Sequence, residues 1–360
     1  MPQISNQSKR SKMKVRSLNF RTIWQLLKQT FDEWNEDKAS RLAAALAYYT
    51  IFSIAPLLVI VIAIAGLVFG EEAARGEIVT QIQGLVGRSG AEVIETAIEN
   101  ANKPATGSIA SLISIGALLF GAIGVFTQLQ DALNTIWEVQ PKPDRPIKGF
   151  VRRNFLSFSM VLGIGFLLLV SLIISATLAA LSNYFSYLIP GFDALWQLVN
   201  FLIAFGITTF LFAMIFKFLP NVKIAWSDVW IGAIITSFLF SIGRFLLGWY
   251  LGNGSFGSTY GAAGSLIIIL AWVYYAAQIL FFGAEFTQVY ARNYGSQIVP
   301  DENAVSLTNE ARIQQGIPRQ EDIDAAIQSE PTNRVDRRRS RNSGLPGFIR
   351  GLGGKRRSRR

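Results

Sequence analysis

The sequence contains neither cysteine nor histidine in its 360 residues. Their absence excludes disulfide bonds, thiolate and imidazole catalysis, and the zinc and haem sites that these side chains form. Charge is also scarce, since 16% of the residues are charged whereas 51% are hydrophobic. A phosphate-binding loop of the ATPase type is absent too, which indicates only that any transport is not powered by ATP at this chain. We therefore expect no catalytic residue, no metal site and no cofactor, and we interpret the chain as a non-enzyme.

The few charges crowd the two ends and several short loops, which leaves long uncharged stretches between them. Uncharged stretches of more than about 18 residues are typical of transmembrane helices. We predict an all-α integral membrane protein built as a bundle of about six transmembrane helices. The predicted spans are residues 42–69, 107–129, 155–178, 195–216, 229–250 and 265–287. Ser227 or Asp228 is expected to cap the fifth of these helices.

The other segments have distinct compositions. Residues 1–18 are basic and are predicted to be a disordered arm. Residues 19–38 form an amphipathic helix, at the lipid headgroups or else packed on a partner. Within the six-span domain, residues 39–292, the polar segment 71–104 is expected to form an extracytoplasmic helical hairpin outside the bilayer. Residues 293–360 are predicted to be a disordered, basic cytoplasmic tail.

The distribution of basic residues predicts the orientation of the bundle. Thirty of the 34 Lys and Arg residues fall in segments on one side, three fall on the other side, and Arg244 lies within a span. Cytoplasmic loops carry the excess of basic residues in membrane proteins. We therefore expect a multi-pass protein of the bacterial inner membrane with both termini in the cytoplasm.

Two ionisable residues inside predicted spans are the first candidates for a functional site, because charge at membrane depth is costly. Arg244 could extend to the outer headgroups, or it could line a cavity that selects an anionic cargo. Glu285, near the inner end of the sixth span, shares a helical face with Tyr275 and Gln278. This stripe either lines a polar path or joins neighbouring spans through hydrogen bonds.

The first span contains a proline beside hydroxyl groups. Pro56 should kink the helix, since it leaves one backbone carbonyl without its donor. Tyr49 and Ser53 share a face with Pro56, and Tyr48 lies beside them. This arrangement could be a hinge or a binding notch, although kinks are also common in static bundles.

The segment 331–360 holds eleven basic residues and one acid, Asp336. Such a cluster could bind nucleic acid, but few aromatic residues are interleaved with it. Beside a membrane, arginine clusters more often bind anionic lipid headgroups. We therefore expect membrane lipids as the partner of this segment and no nucleic acid.

Three motifs resemble one known family. "RLAAALAYYTIFSIAPLL" at 41–58, "FLPNVKIAWSDVWIGA" at 218–233 and "TYGAAGSLIIILAWVYYAAQILFFGAEF" at 259–286 stand in the order found in the YihY/BrkB family of bacterial inner-membrane proteins. This resemblance implies a six-span inner-membrane protein. It also draws attention to the motif residues Tyr48, Tyr49, Pro56, Pro220, Tyr260, Gly261, Gly264, Trp272, Gly283 and Glu285.

The resemblance implies less about activity, because members of the family carry the labels virulence or serum-resistance factor and also ribonuclease BN. The sequence offers no support for ribonuclease chemistry, since it has no histidine and its acids are scattered through loops. The polar and kinked elements in the first, fifth and sixth spans favour a transporter or permease for a small solute, an ion or a lipid. The alternative is a non-transporting envelope scaffold or a stress- or serum-resistance factor.

Overall fold

The structure is a computed structural model, in which helices make up most of the described chain. The residues that it describes are 20–102, 123–142, 193–253, 262–296 and 298–329. The helices are α1 (Phe20–Glu36), α2 (Ala39–Phe69), α3 (Glu71–Asn102), α4 (described over 123–136), α5 (Asp193–Phe218), α6 (Trp226–Asn253), α7 (Ala262–Asn293), α8 (Asn309–Gln314) and α9 (Gln320–Ser329). The short strands are β1 (Val139–Pro141), β2 (Val222–Lys223), β3 (Val299–Pro300) and β4 (Ala304–Ser306).

Four of the described helices are long and apolar enough to cross a membrane. These segments are Ala39–Leu67, Trp196–Phe218, Trp226–Leu247 and Gly264–Asn293. They coincide with the first, fourth, fifth and sixth predicted spans, and the all-α membrane fold is confirmed. The second predicted span is described only from residue 123, where the chain is helical, and the third lies outside the described residues. The total of six spans therefore stays a prediction.

The two antiparallel helices α6 and α7 pack closely through glycine. A Cβ at Gly232 would lie 1.7 Å from Thr287 Oγ1, and a Cβ at Gly283 would lie 1.9 Å from Thr236 Oγ1. Each threonine hydroxyl donates to the carbonyl oxygen of the glycine four residues earlier in its own helix. Each threonine thus fills the space left by a glycine of the other helix, a close approach typical of membrane helices.

The polar segment after the first span is a helical hairpin, as predicted. Helix α3 bends at Gly87, whose φ of 77° is the left-handed conformation that glycine adopts readily. Arg75 on the first leg forms ion pairs with Glu95 and Glu99 on the second leg, at 3.4 Å and 2.5 Å. These pairs hold the two legs antiparallel.

The hairpin lies alongside α2 and α7. Its apolar residues Ile78, Ile82, Val86, Ile94 and Ile98 form one cluster with apolar residues of α2 and α7. The α2 and α7 residues in this cluster include Leu58, Ile62, Ile269 and Trp272, all within candidate spans. The hairpin therefore packs against residues of two candidate spans.

The opposite end of the bundle is closed by short antiparallel strand pairs, β1 with β4 and β2 with β3. Side-chain hydrogen bonds reinforce it: the Gln130 amide donates to the carbonyl of Leu219 at 2.9 Å, and the Asn221 backbone N–H donates to Asn134 Oδ1 at 2.8 Å. Helix α1 packs on the same end of α7, where Arg292 forms an ion pair with Glu33.

The predicted disordered tail, 293–360, is wrong in its first part. Strands β3 and β4 belong to the compact unit that ends at Leu307, and α8 and α9 belong to a second unit that begins at Thr308. The sequence gives no local sign of the strands, because each is only two or three residues long and pairs with a segment far away in the chain. Residues 330–360 lie outside the described residues.

Candidate functional site

A cavity of about 560 Å³ lies between α5, α6 and the first leg of the α3 hairpin. Its lining residues are Gly84, Phe201, Ala204, Phe205, Thr208, Phe240, Ser241, Arg244 and Phe245. The lining combines four phenylalanine rings with two hydroxyl groups and one guanidinium group. Among the described residues that line it, Arg244 alone carries a charge.

The two hydroxyl groups are held in place by their own helices. Thr208 Oγ1 donates to the carbonyl of Ala204, and Ser241 Oγ donates to the carbonyl of Ser237, each at 2.8 Å. Their hydrogens are therefore occupied and their lone pairs remain as acceptors. The positive charge in the cavity lining thus comes from Arg244.

The cavity lies near one end of the bundle. Arg244 is three residues before the end of the candidate span Trp226–Leu247, and Gly84 is three residues before the hairpin bend at Gly87. The side chains of Arg244, Phe201 and Phe245 are all exposed. The cavity therefore opens on the surface of the bundle, close to the bend of the α3 hairpin.

The predicted stripe on α7 is only partly connected to this cavity. The ring of Tyr275 covers Gly243, the residue before Arg244, since a Cβ at Gly243 would lie 2.2 Å from the tyrosine oxygen. Glu285 is ten residues further along α7, about 15 Å at ~1.5 Å per residue, and is 1% exposed. Gln278 lies between them and is half-buried. Tyr275 therefore packs on α6 beside Arg244, and none of the three stripe residues lines the cavity.

The predicted notch in the first span faces α4 instead. Pro56 lies within the helix α2, and Ser53 is buried. A Cβ at Gly124 of α4 would lie 3.7 Å from Tyr49 Cδ1 and 3.8 Å from Ser53 Oγ. Within the described residues, neither Tyr49, Ser53 nor Pro56 lines the cavity. The structure therefore supports packing between α2 and α4 at this position.

The remaining motif residues have varied places. Trp272 contacts the cavity ring Phe240 edge-on, with 5.8 Å between ring centroids. Gly283 carries the α6–α7 contact, whereas Gly264 and Pro220 are buried and Tyr48 is exposed. Tyr260 and Gly261 lie outside the described residues.

Sequence reasoning missed most of the cavity. Phe201, Phe205 and Thr208 recur at helical spacing on α5, but the same spacing is typical of any face of an apolar helix. Gly84 gave no signal, because only the bend at Gly87 brings it against two helices more than a hundred residues later in the chain. The lone arginine was the one detectable feature.

Comparisons with known proteins agree on a single group. The family model "Virulence factor BrkB" matches residues 30–308. A UPF0761 membrane protein from Photobacterium profundum is 30% identical over 262 residues, which cover 70% of this chain and 76% of that protein. Another from Alkalilimnicola ehrlichii is 28% identical over 268 residues, covering 72% of this chain and 57% of that protein. This chain thus spans little more than half of some relatives. No solved structure matches it.

Proposed function

The chain belongs to the virulence factor BrkB family of membrane proteins, and we propose that it is a transporter or permease for a small solute, an ion or a lipid. The observation that carries the proposal is the cavity of about 560 Å³ with Arg244 in its wall. A cavity of this size is in the range of small-molecule binding sites. An arginine near the end of a span, facing a cavity, is a typical feature of a pathway through a membrane.

The stripe on α7 supplies a second part of the proposal. Glu285 is almost completely buried in the bundle, on the helix whose Tyr275 packs against Gly243, the residue before Arg244. Ionisable groups inside membrane helices commonly serve as relays for ions or protons. We assign Arg244 to cargo selection and Glu285 to the coupling of movement through the bundle.

The proposal includes a location and an orientation. The protein lies in the bacterial inner membrane, with both termini in the cytoplasm and the hairpin on the outer side, as the basic-residue asymmetry favours. The segment 331–360 binds anionic headgroups in this arrangement. No catalytic step and no nucleic-acid partner is assigned to the chain.

Flux through the purified protein in sealed liposomes tests this function. Inorganic ions, organic anions and labelled lipids form the panel, and the wild type is expected to move at least one class. Glu285→Gln should abolish that flux, since it removes the only charge on the stripe. Glu302→Gln is the matched control, because Glu302 has an 83% exposed side chain in the loop between β3 and β4.

The outcomes separate the two functions. Flux that is lost in Glu285→Gln and retained in Glu302→Gln supports transport, provided that both variants are folded and inserted. Wild-type flux in Glu285→Gln removes the role of this residue. Silence of the wild type across the whole panel contradicts transport and favours a scaffold.

The alternative is a non-transporting envelope scaffold or stress-resistance factor that engages a partner through the hairpin. The observation in its favour is the exposed acid on the second leg, where the side chains of Glu92, Glu95 and Glu99 are 42–62% exposed. Under this alternative, their triple replacement by glutamine abolishes complementation of a deletion strain, whereas Glu285→Gln complements fully.

A further inference from the structure

We propose that the cavity binds an amphipathic anion, a molecule with one carboxylate or phosphate group and a single acyl or aryl chain. This inference adds the class of cargo to the proposed function. It rests on that function, because the bound ligand is taken to be the molecule that the protein transports. It names the class of cargo: a single-chain anionic amphiphile that approaches the protein from the surrounding lipid.

The charge of the site argues for an anion. Arg244 forms no hydrogen bond or ion pair with any residue that the structure describes. Its guanidinium group offers five donors in a planar fork, which matches a carboxylate or phosphate group. Thr208 and Ser241 beside it direct their hydrogens to backbone carbonyls, so they do not compete as donors. An incoming anion therefore meets one unpaired cation.

The walls argue for an apolar chain on that anion. Phe201 and Phe205 stack along α5 with ring centroids 6.1 Å apart. On α6, Phe240 is held from behind by edge-on contacts with Phe212 and Trp272 at 5.6 Å and 5.8 Å. These rings are positioned before any ligand arrives, and burying an apolar chain among them is favourable.

The entrance argues for access from the lipid. Phe201 and Phe245 line the cavity and are 54% and 74% exposed. Both belong to apolar membrane helices, whose exposed side chains face acyl chains. A chain can therefore slide between these rings while its headgroup stays near the end of the span with Arg244. The volume suits one small ligand, and a two-chain phospholipid would leave a chain outside.

The hairpin provides a sensitive position in the wall. At Gly84 a Cβ would meet no atom within 4 Å, although the residue lines the cavity. Gly84→Leu should therefore fill the space without straining the helix. Gly76 lies on the same leg, is also free of neighbours within 4 Å of its Cβ and does not line the cavity. Gly76→Leu is thus the matched control.

The test is binding of radiolabelled dodecanoate to the full chain in nanodiscs of neutral phosphatidylcholine. Saturable binding is expected for the wild type and for Gly76→Leu. Arg244→Ala and Gly84→Leu should each weaken it by about tenfold or more, and Arg244→Lys by less. Dodecyl phosphate should compete, whereas dodecylamine should not.

The outcomes decide the inference on their own. The inference is overturned if the wild type shows no saturable binding, or if Arg244→Ala and Gly84→Leu leave the binding unchanged. Displacement by phosphatidylglycerol as effective as by dodecanoate overturns the single-chain class in favour of a lipid. Specific binding without flux retains the site and contradicts the transporter. Flux of another solute, unaffected by both variants, retains the transporter and contradicts the assignment of the bound anion as its cargo.

Discussion

At the scale of single residues, the seam between α6 and α7 depends on two glycines. Gly283 and Gly232 each lie against a threonine of the opposite helix. The contact is so close that a Cβ at either glycine would overlap the threonine side chain. Membrane helices gain little from the hydrophobic effect against each other, so such close contact is a main source of their association. The seam also holds Tyr275 against Gly243, the residue before Arg244.

Gly283→Ala should destabilise the protein. Its new methyl group would lie 1.9 Å from Thr236 Oγ1, so the helices must separate, and overpacking of this kind costs about 1–3 kcal/mol. The midpoint of thermal unfolding in detergent measures the effect. Gly206→Ala is the control, since its Cβ would meet no atom within 4 Å and alanine is the better helix former.

The expected order of midpoints is Gly206→Ala at or above the wild type and Gly283→Ala clearly below both. The double variant Gly283→Ala/Thr236→Ala should recover part of the loss, because the nearest atom is then removed. Equal midpoints for Gly283→Ala and the wild type would contradict the close contact.

Single residues also show the limits of the sequence. The prediction of a helix cap at Ser227 or Asp228 rests on residue type alone. The helix instead begins at Trp226, and the Asp228 carboxylate accepts from the backbone N–H and hydroxyl of Ser296, both at 2.8 Å. Arg244 was predictable because a charge stands out in an apolar run. The partner of Asp228 was not, since it comes from 68 residues away.

At the scale of elements, the length of α2 and α7 is related to the position of the hairpin that packs on them. Helices α2 and α7 have 31 and 32 residues, about 46–48 Å at ~1.5 Å per residue, whereas a hydrocarbon core is ~30 Å thick. Near the hairpin bend, the side chain of Arg88 is 84% exposed, and exposed charge is costly in lipid. We infer that the apolar legs of the hairpin cover parts of α2 and α7 that extend into water.

The lack of cysteine allows this placement to be tested directly. Arg88→Cys should react with a membrane-impermeant maleimide added to intact spheroplasts, because the proposed orientation places the bend outside. Glu302→Cys, at the other end of the bundle, should react only after permeabilisation. Both positions are highly exposed and lose only a surface ion pair, which contributes little to stability.

The reverse labelling pattern would show an inverted protein. If Arg88→Cys reacts only in the denatured chain, the bend lies within the membrane. Helical spacing of apolar residues predicted the two legs from the sequence. Their packing on α2 and α7 could not be predicted, because it depends on the bend at Gly87 and on contacts with α7, almost two hundred residues away.

At the scale of the whole molecule, the end of the bundle opposite the hairpin joins distant parts of the chain. Strand β4 pairs with β1 after α4, and β3 pairs with β2 after α5. Further hydrogen bonds run from Leu307 N–H to the Glu138 carbonyl at 2.8 Å and from Asp301 N–H to the Asn221 carbonyl at 2.9 Å. The family match ends at residue 308, one residue after this unit ends at Leu307.

Truncation should therefore lower the stability of the bundle only when it removes β3 and β4. A chain that ends after Thr308 keeps both strand pairs and should unfold at the wild-type temperature. A chain that ends after Ser296 loses β3 and β4 and leaves β1 and β2 unpaired, which should destabilise the bundle by roughly a few kcal/mol at ~1 kcal/mol per hydrogen bond. Thermal unfolding in detergent compares the two chains. Equal midpoints would mean that the strand pairs do not stabilise the bundle. Loss of stability in both chains would mean that residues after Thr308 contribute to the stability of the first unit.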